Sequence, residues 1–412
     1  LLRLLVLEGT MNRGIAVLLV SLGLTGYAQA SQPEGWAYQL FVDRDLWQQH
    51  RINVAARGQI GLIADSDAVA LDTDEGLLLN RAELLLSRPL RGRVLPGEGA
   101  KAGKTRDTWD WGFRLEGRYG NDFNPLFGID EGRNQRLKLS LPQWYVQVYA
   151  PVLDGVTAQL GNFASPVGNE NDTPNDPPRP FYSRSFAYEY GPKRHMGGLF
   201  STRLPLVEQS GLWSADLGVV QGWDNLQDNN DNPSLIAALH WQRPDKRLKL
   251  DLEGIWGNEQ SDSISQLQTP FQVVSSDGQL RSFQSLTARY WSPEKDWRWD
   301  LNVIYGSQQG GDTGTGLISD DSEWYGANLA AVRQLKPDLQ GAMRVEWLRD
   351  EDAAHSNLPG GTYRSWSANI SWFPEAWLRI RPELRYDEYS GAVGQPNQDN
   401  RWLFSIDATL FL

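Results

Sequence analysis

The chain has 412 residues, 40% of them hydrophobic and 22% charged, with a net charge of −12 and no cysteine. That charge excludes a nucleic-acid binder, which would carry a basic face, and the missing cysteines exclude a disulfide framework, a lipoprotein anchor and thiolate metal sites. Four histidines, none closely paired, argue against a zinc centre, so no cofactor is expected.

The first strongly apolar stretch is MNRGIAVLLVSLGLTGYAQA, from Met11. Arg13 supplies a positive n-region, Ile15 to Leu24 an apolar core, and Ala28-Gln29-Ala30 a small-residue cleavage site, as in a secretory signal peptide. Residues 1–30 are therefore expected to be an N-terminal extension and signal peptide, with the start at Met11 and cleavage after Ala30. Residues 31–50 read as a periplasmic segment, whether tail, short helix or inward plug.

From residue 51 to 412, alternating segments of about ten residues recur, the pattern of strands with two different faces. In WDWGFRLEGRYG (109–120), Trp109, Trp111, Phe113, Leu115 and Tyr119 oppose Asp110, Arg114, Glu116 and Arg118. In DWRWDLNVIYG (296–306), Trp297, Trp299, Leu301, Val303 and Tyr305 oppose Arg298, Asp300 and Asn302. Aromatics end both apolar faces and aliphatics fill the middle, as expected of a strand crossing two membrane interfaces. The 18 tryptophans fit that placement. RSWSANISWF (364–373) and WLRIRPELRYD (377–387) alternate in the same way.

The connections separate a barrel from a soluble sandwich. Short ones, most of them marked by proline, lie at 151–155, 205–211, 243–246, 292–296, 336–338 and 374–376. Between them run long acidic loops at 64–76, 223–232, 257–280, 307–321 and 349–361. Short turns at one end and long loops at the other predict an all-β fold: a transmembrane antiparallel up-and-down barrel of about 16 strands, with short periplasmic turns and long extracellular loops. One connection breaks the rule, because RGRVLPGEGAKAGK (91–104) is long and lies on the short-turn side. The last strand, RWLFSIDATLFL, places Phe404, Ile406, Ala408, Leu410 and Leu412 in the lipid phase. That phase resembles the terminal assembly signal of outer-membrane barrels, with Leu412 standing where an aromatic is usual.

If the apolar faces meet lipid, the other phase lines the lumen. The candidate pore-lining residues are Arg114, Glu116, Arg118, Lys249, Asp251, Glu253, Arg298, Asp300, Arg344, Glu346, Arg379, Arg381, Glu383 and Arg385. A wall of mixed sign holds water and imposes a transverse field on a solute. The third long loop, 164–195, is stiffened by prolines 166, 174, 177, 178 and 180 and is unusually aromatic. Folded inward, it would narrow the pore with Arg179, Phe181, Tyr182, Arg184, Tyr188, Lys193, Arg194 and His195. Packing on top of the barrel or on a neighbouring subunit is the other reading. Two motifs are weak. Asp228, Asn230 and Asn232 are spaced like the start of a calcium loop, but Pro233 stands where glycine is needed. His355-Ser356 lacks an oxyanion arrangement.

The runs LGNFASPVGNENDTPNDPPRPFYSRSFAYEYGPKRHMGGLFSTRLPL and LGVVQGWDNLQDNNDNPS carry G-x-F-x-x-P-x-G-x-E, Y-S-R-S and G-W-D-N in that order. In this they resemble the OmpL-like family of outer-membrane β-barrel porins. The match centres on residues 160–234. It implies an outer-membrane channel in a Gram-negative bacterium and supplies no catalytic residues; the third-loop constriction is similar to that of general diffusion porins, many of them homotrimers. The function expected is a water-filled channel for passive diffusion of small hydrophilic solutes, not an enzyme. The alternative is a non-transporting barrel acting in adhesion or surface structure through acidic, cation-binding loops. Expected partners are outer-membrane lipid and lipopolysaccharide, the solutes, the outer-membrane insertion machinery and, in a homotrimer, other copies of the chain. The lumen arginines lean toward anions and the acidic loops oppose them.

Overall fold

The computed structural model describes residues 49–65, 76–91, 94–100, 107–121, 128–129, 138–170, 179–206, 208–224, 226, 231–259, 279–310, 321–350, 352, 354, 358–392 and 398–411. The chain divides into two compact units, Leu1–Ser31 and Gln32–Leu412. The first, with its signal-peptide reading, lies outside the described residues.

The described part of the second unit is almost all strand. In chain order these are β1 (Asn53–Asp65), β2 (Gly76–Arg88), β3 (Val94–Leu95), β4 (Gly99–Ala100), β5 (Asp110–Gly120), β6 (Gly128–Ile129), β7 (Lys138–Ala150) and β8 (Val156–Ala164). A short helix, α1 (Phe186–Tyr190), precedes β9 (Arg194–Arg203), β10 (Leu212–Val220), β11 (Ser234–Gln242), β12 (Leu248–Asn258) and β13 (Leu280–Trp291). The last are β14 (Trp297–Gln308), β15 (Ser322–Lys336), β16 (Leu339–Asp350), β17 (Gly361–Glu375), β18 (Leu378–Gly391) and β19 (Gln398–Phe411). β3 and β4 pair with each other as a two-stranded sheet. All the others form one antiparallel sheet of 17, in which β6 is a two-residue strand beside β7, so 17 less one leaves the 16 of the barrel wall. Closure is by β1 on β19, from Arg57 opposite Phe411 to Asp65 opposite Leu403. A closed sheet satisfies every backbone group without an edge, the condition for strands to stand in hydrocarbon.

Alternation decides which way each residue points. On β5, Trp111, Leu115 and Tyr119 are exposed on the outer surface while Asp110, Glu116 and Arg118 are buried inside. β14 repeats this with Trp299, Val303 and Tyr305 outside and Asp300, Asn302 and Ile304 inside. β19 turns Trp402, Phe404 and Leu410 outward, while Phe411 is buried inward with the Arg379 guanidinium 5.7 Å from its ring centre. Leu412 lies outside the described residues.

Two features depart from simple alternation. Pro382 stands in the middle of β18, where a proline would break a ladder. Its pairing with β19 is continuous, Pro382 opposite Ile406, but the ladder to β17 skips from Asn369–Glu383 to Trp372–Ile380. The missing N–H is thus on the side where no bond is made. The second feature is a collar of apolar residues on the inner face toward the long loops: Leu199, Val220, Ile236, Ile255, Phe283, Ile304, Trp324, Leu348, Tyr363 and Tyr389, all buried. Cross-strand pairs build it, including Ile236 with Ile255, Ile255 with Phe283, Leu348 with Tyr363 and Tyr363 with Tyr389. Gly306, opposite both Phe283 and Trp324, makes room for the indole: a Cβ there would collide with the Trp324 ring. The lumen is therefore polar in one half and apolar in the other, and Trp324 is an indole that faces the interior rather than the membrane interface.

Candidate pore and its constriction

Between β8 and β9 the third long loop runs inside the barrel, and it docks at two levels. Residues 179–186 lie along the inner face of β16 to β18. There the wall's side chains satisfy the loop's backbone. Glu383 accepts from the N–H of Tyr182 at 2.7 Å and of Ser183 at 3.1 Å, and Glu346 from the N–H of Phe186 at 2.8 Å. Arg379 and Arg381 both donate to the carbonyl of Arg179, at 2.9 and 2.7 Å, and Arg385 to that of Arg184 at 2.6 Å. Arg344 donates to the carbonyls of Ser183 and Arg184 and lies 4.6 Å from the ring centre of Phe181. Above this, α1 places Phe186, Ala187 and Tyr190 against the apolar collar, and the Tyr190 hydroxyl donates to Asp350 at 2.9 Å.

The local sequence explains the helix ends. Ser185 caps the N-terminus by accepting from the N–H of Tyr188. Lys193 donates from Nζ to the carbonyls of Tyr188, Glu189 and Gly191 at the C-terminus, where a cation is favoured. Arg194 donates to the Pro142 carbonyl, and His195, fully buried on β9, faces the Gly222 carbonyl and the Ser165 hydroxyl. Of the eight constriction-loop candidates, Lys193, Arg194 and His195 are thus occupied locally. Arg179, Phe181, Tyr182 and Arg184 sit in or beside the docking seam, and Tyr188 stacks under Arg184 and Lys193.

Glu170, the glutamate that closes the G-x-F-x-x-P-x-G-x-E run, ties the loop to itself and to the wall. It accepts from the Ser185 N–H at 3.2 Å and faces Arg344 at 3.5 Å. Burial alone would raise its pKa, but Arg344, then Arg184 and the Ser185 hydrogen bond, outweigh burial and hold it below its ordinary 4.5. A carboxyl depressed in the folded state stabilises above its free value and loses that contribution as pH falls through the depressed one. The part of the conductance that depends on the loop is accordingly expected to change only as pH falls below the ordinary carboxylate range. Glu170→Gln should show the looser state already at neutral pH. A pH response of the variant identical to wild type would remove Glu170 from the docking.

A second insert enters from the short-turn end. The 91–104 connection, the one that broke the loop-length rule, folds β3 and β4 into a hairpin against the inner face of β8 to β11. The Val94 carbonyl accepts from Thr157 Oγ1 at 2.7 Å, and the Gly97 N–H donates to Asp216 at 2.6 Å. Gly97 and Gly99 have φ of 72° and 83°, a left-handed backbone that favours glycine. A Cβ on either would press on Pro166 or His240 at 3.2 Å. In the ring of 16 strands, β8 to β11 lie across from β16 to β18, so loop and hairpin narrow the lumen from opposite walls.

Between them remains a chamber of about 920 Å3. Its lining divides the candidate pore residues. Arg114, Lys249, Asp251, Glu253, Arg298, Asp300 and Arg344 face the chamber. Glu116, Arg118, Glu346, Arg379, Arg381, Glu383 and Arg385 are inward and buried, but are engaged in ion pairs and in holding the loop. Arg118 joins Glu116 to Glu83, which pairs with Arg57, and Asp407 joins Arg381 to Gln59, so the network crosses the β1–β19 seam. Arg289 also lines the chamber; its alternating strand, LRSFQSLTARYW, carries the signal that would have found it.

The fold also gathers histidine and acid that the sequence kept apart. His240, Asp251 and Glu253 place potential ligand atoms within 4.8 Å of one another. The His240 ring nitrogens already face Asp251 at 2.6 Å and Asp216 at 3.3 Å, so carboxylates satisfy both without an ion. Asp228, Asn230 and His355-Ser356 lie outside the described residues.

A closed 16-strand antiparallel barrel, apolar outside, with a polar lumen narrowed by an inward third loop, defines an outer-membrane porin. The family model described as putative beta-barrel porin-2, OmpL-like, matches residues 99–412, and the chain belongs to that family. Its place is the outer membrane of a Gram-negative bacterium. No curated protein sequence matches the chain. Similar solved structures include the outer-membrane channel DcaP of Acinetobacter baumannii, 11% identical, with a TM-score of 0.56 over 88% of this chain and 97% of that one. The anion-selective porin from Comamonas acidovorans is 10% identical, with a TM-score of 0.54 over 88% and 99%. The trimer form of OmpT from Vibrio cholerae is 9% identical, with a TM-score of 0.54 over the same shares.

Proposed function

We propose that the protein is a passive channel for small hydrophilic solutes, catalyses no reaction, and works as a homotrimer. The observation that carries this reading is the chamber, lined by charges of both signs and left between two inserts in a barrel too wide for side chains alone to fill. Most of the lumen's carboxylates pair with guanidinium groups or hold the loop backbone. That suits holding a fixed constriction rather than attacking a bond. The trimer form of the similar OmpT supports the assembly.

Reconstitution into a planar bilayer should give discrete conductance steps, and unboiled protein should migrate faster than boiled on a gel. Folded, heat-modifiable protein without steps would reject transport and favour an adhesive or structural barrel. Light scattering in detergent is expected to give three times the chain mass; a monomer mass would remove the trimer alone.

A further inference from the structure

Where the chamber meets β12, β13 and β14, cations are set against each other. Lys249 stands directly opposite Arg289 on the inner face, a placement of like charges that costs stability unless something offsets it. Arg298 lies two positions from Asp300, itself opposite Arg289. Asp300 accepts from Arg289 Nε at 2.6 Å and from Arg298 Nε at 2.9 Å. Asp251 faces Lys249 at 3.1 Å but also serves His240. Three cations thus share two carboxylates, one of them already committed elsewhere.

The donors left over are the significant part. Each arginine uses only its Nε, and among the described residues the Nη groups of both have no hydrogen-bond partner. Both side chains and Lys249 are part-exposed, and all three line the chamber. Paired guanidinium forks recognise two-oxygen acceptors by geometry as well as by charge. Elsewhere the chamber lining mixes signs, Arg114, Arg179 and Arg344 with Glu98 and Glu170, so what distinguishes this wall is its pair of guanidinium edges without a hydrogen-bond partner among the described residues.

We propose that the Lys249–Arg289–Arg298 face is a binding subsite for a small polyvalent oxyanion, such as a dicarboxylate or a phosphate. It rests on the porin reading and names the solute class for it. The oxyanion lies between the guanidinium forks, relieves the Lys249–Arg289 repulsion and passes on by exchange with the next anion. A multi-site cationic wall that is not fully neutralised both attracts and releases.

Potassium chloride current through wild-type channels gives the test, with succinate or inorganic phosphate added on the periplasmic side. Either dianion should reduce the chloride current in a saturable way. Arg298→Gln and Arg289→Gln should each raise the half-blocking concentration about tenfold, as expected for losing a charge-assisted pair. Lys249→Gln serves if an arginine variant loses its heat-modifiable fold. Calorimetric titration of detergent-purified protein with each dianion checks binding without conduction. Chloride steps insensitive to both dianions, or block unchanged in the variants, would overturn the subsite and leave the porin standing. Absence of any steps in the wild type would instead overturn the porin reading, and calorimetry would still decide whether the dianions bind.

Discussion

A channel lacking residues 171–182 is expected to conduct severalfold more than the wild type. The described part of that segment, 179–182, carries Phe181, buried against Ala330, Val332 and Ala342, the Tyr182 N–H that Glu383 accepts, and the Arg179 and Pro180 carbonyls bonded by Arg379, Arg381 and Asn369. Burial of one such aromatic is worth roughly 1.5–3 kcal/mol, so the segment holds its place firmly and its removal vacates a defined volume. The wall should survive the loss. Arg381 keeps Asp407 at 2.7 Å, and Asn369 still donates to Glu383 at 3.3 Å; groups that lose the loop then face water, which offsets the lost hydrogen bonds. Single-channel recording reads the result directly. Conductance unchanged by the deletion would mean that the ionic path avoids the third loop, and the constriction reading would fall.

Removing the 94–100 hairpin is expected to raise conductance as well, by less than the loop deletion, because it is shorter and leaves the β16–β18 side untouched. Since the two inserts approach from opposite walls, the double deletion should exceed either one. Gly99→Val is a finer probe. At φ 83° a branched residue is strained, and its side chain would press on His240. The variant should undock the hairpin without shortening the chain and shift conductance in the same direction. If deletion and Gly99→Val both leave conductance and block by anions unchanged, the hairpin lies outside the solute path.

Most of the barrel was legible because two-residue alternation and the split in loop length are local signals. WDWGFRLEGRYG announces β5 with both faces assigned, and PVLDG, RPDK and SPEKD mark turns that the structure places within a residue or two. The lumen was less legible. Alternation equates apolar with lipid, yet Ile236, Ile255, Phe283 and Ile304 face inward because a loop docks on them. Nothing in β11 to β14 alone announces that docking. The arginine and glutamate ladder of β18 reads as free pore charge, whereas Arg379, Arg381, Glu383 and Arg385 are tied to residues near 180, some 200 positions away. Such pairing leaves no trace in spacing. The glycines of PGEG signal a turn but not that it turns inward.

That separation of 200 residues has a consequence for how the protein is made. Contacts distant in sequence form only after the chain between them has been ordered, since loop closure must precede their reward. The third loop emerges early, but the carboxylates and guanidinium groups of β16 and β18 and the Asn369 amide of β17, which satisfy its backbone, belong to almost the last strands. The part of the lumen that the loop lines therefore matures after most of its wall. A chain arrested before β16 would lack the groups that satisfy this loop's backbone, so the loop docks only as the barrel closes.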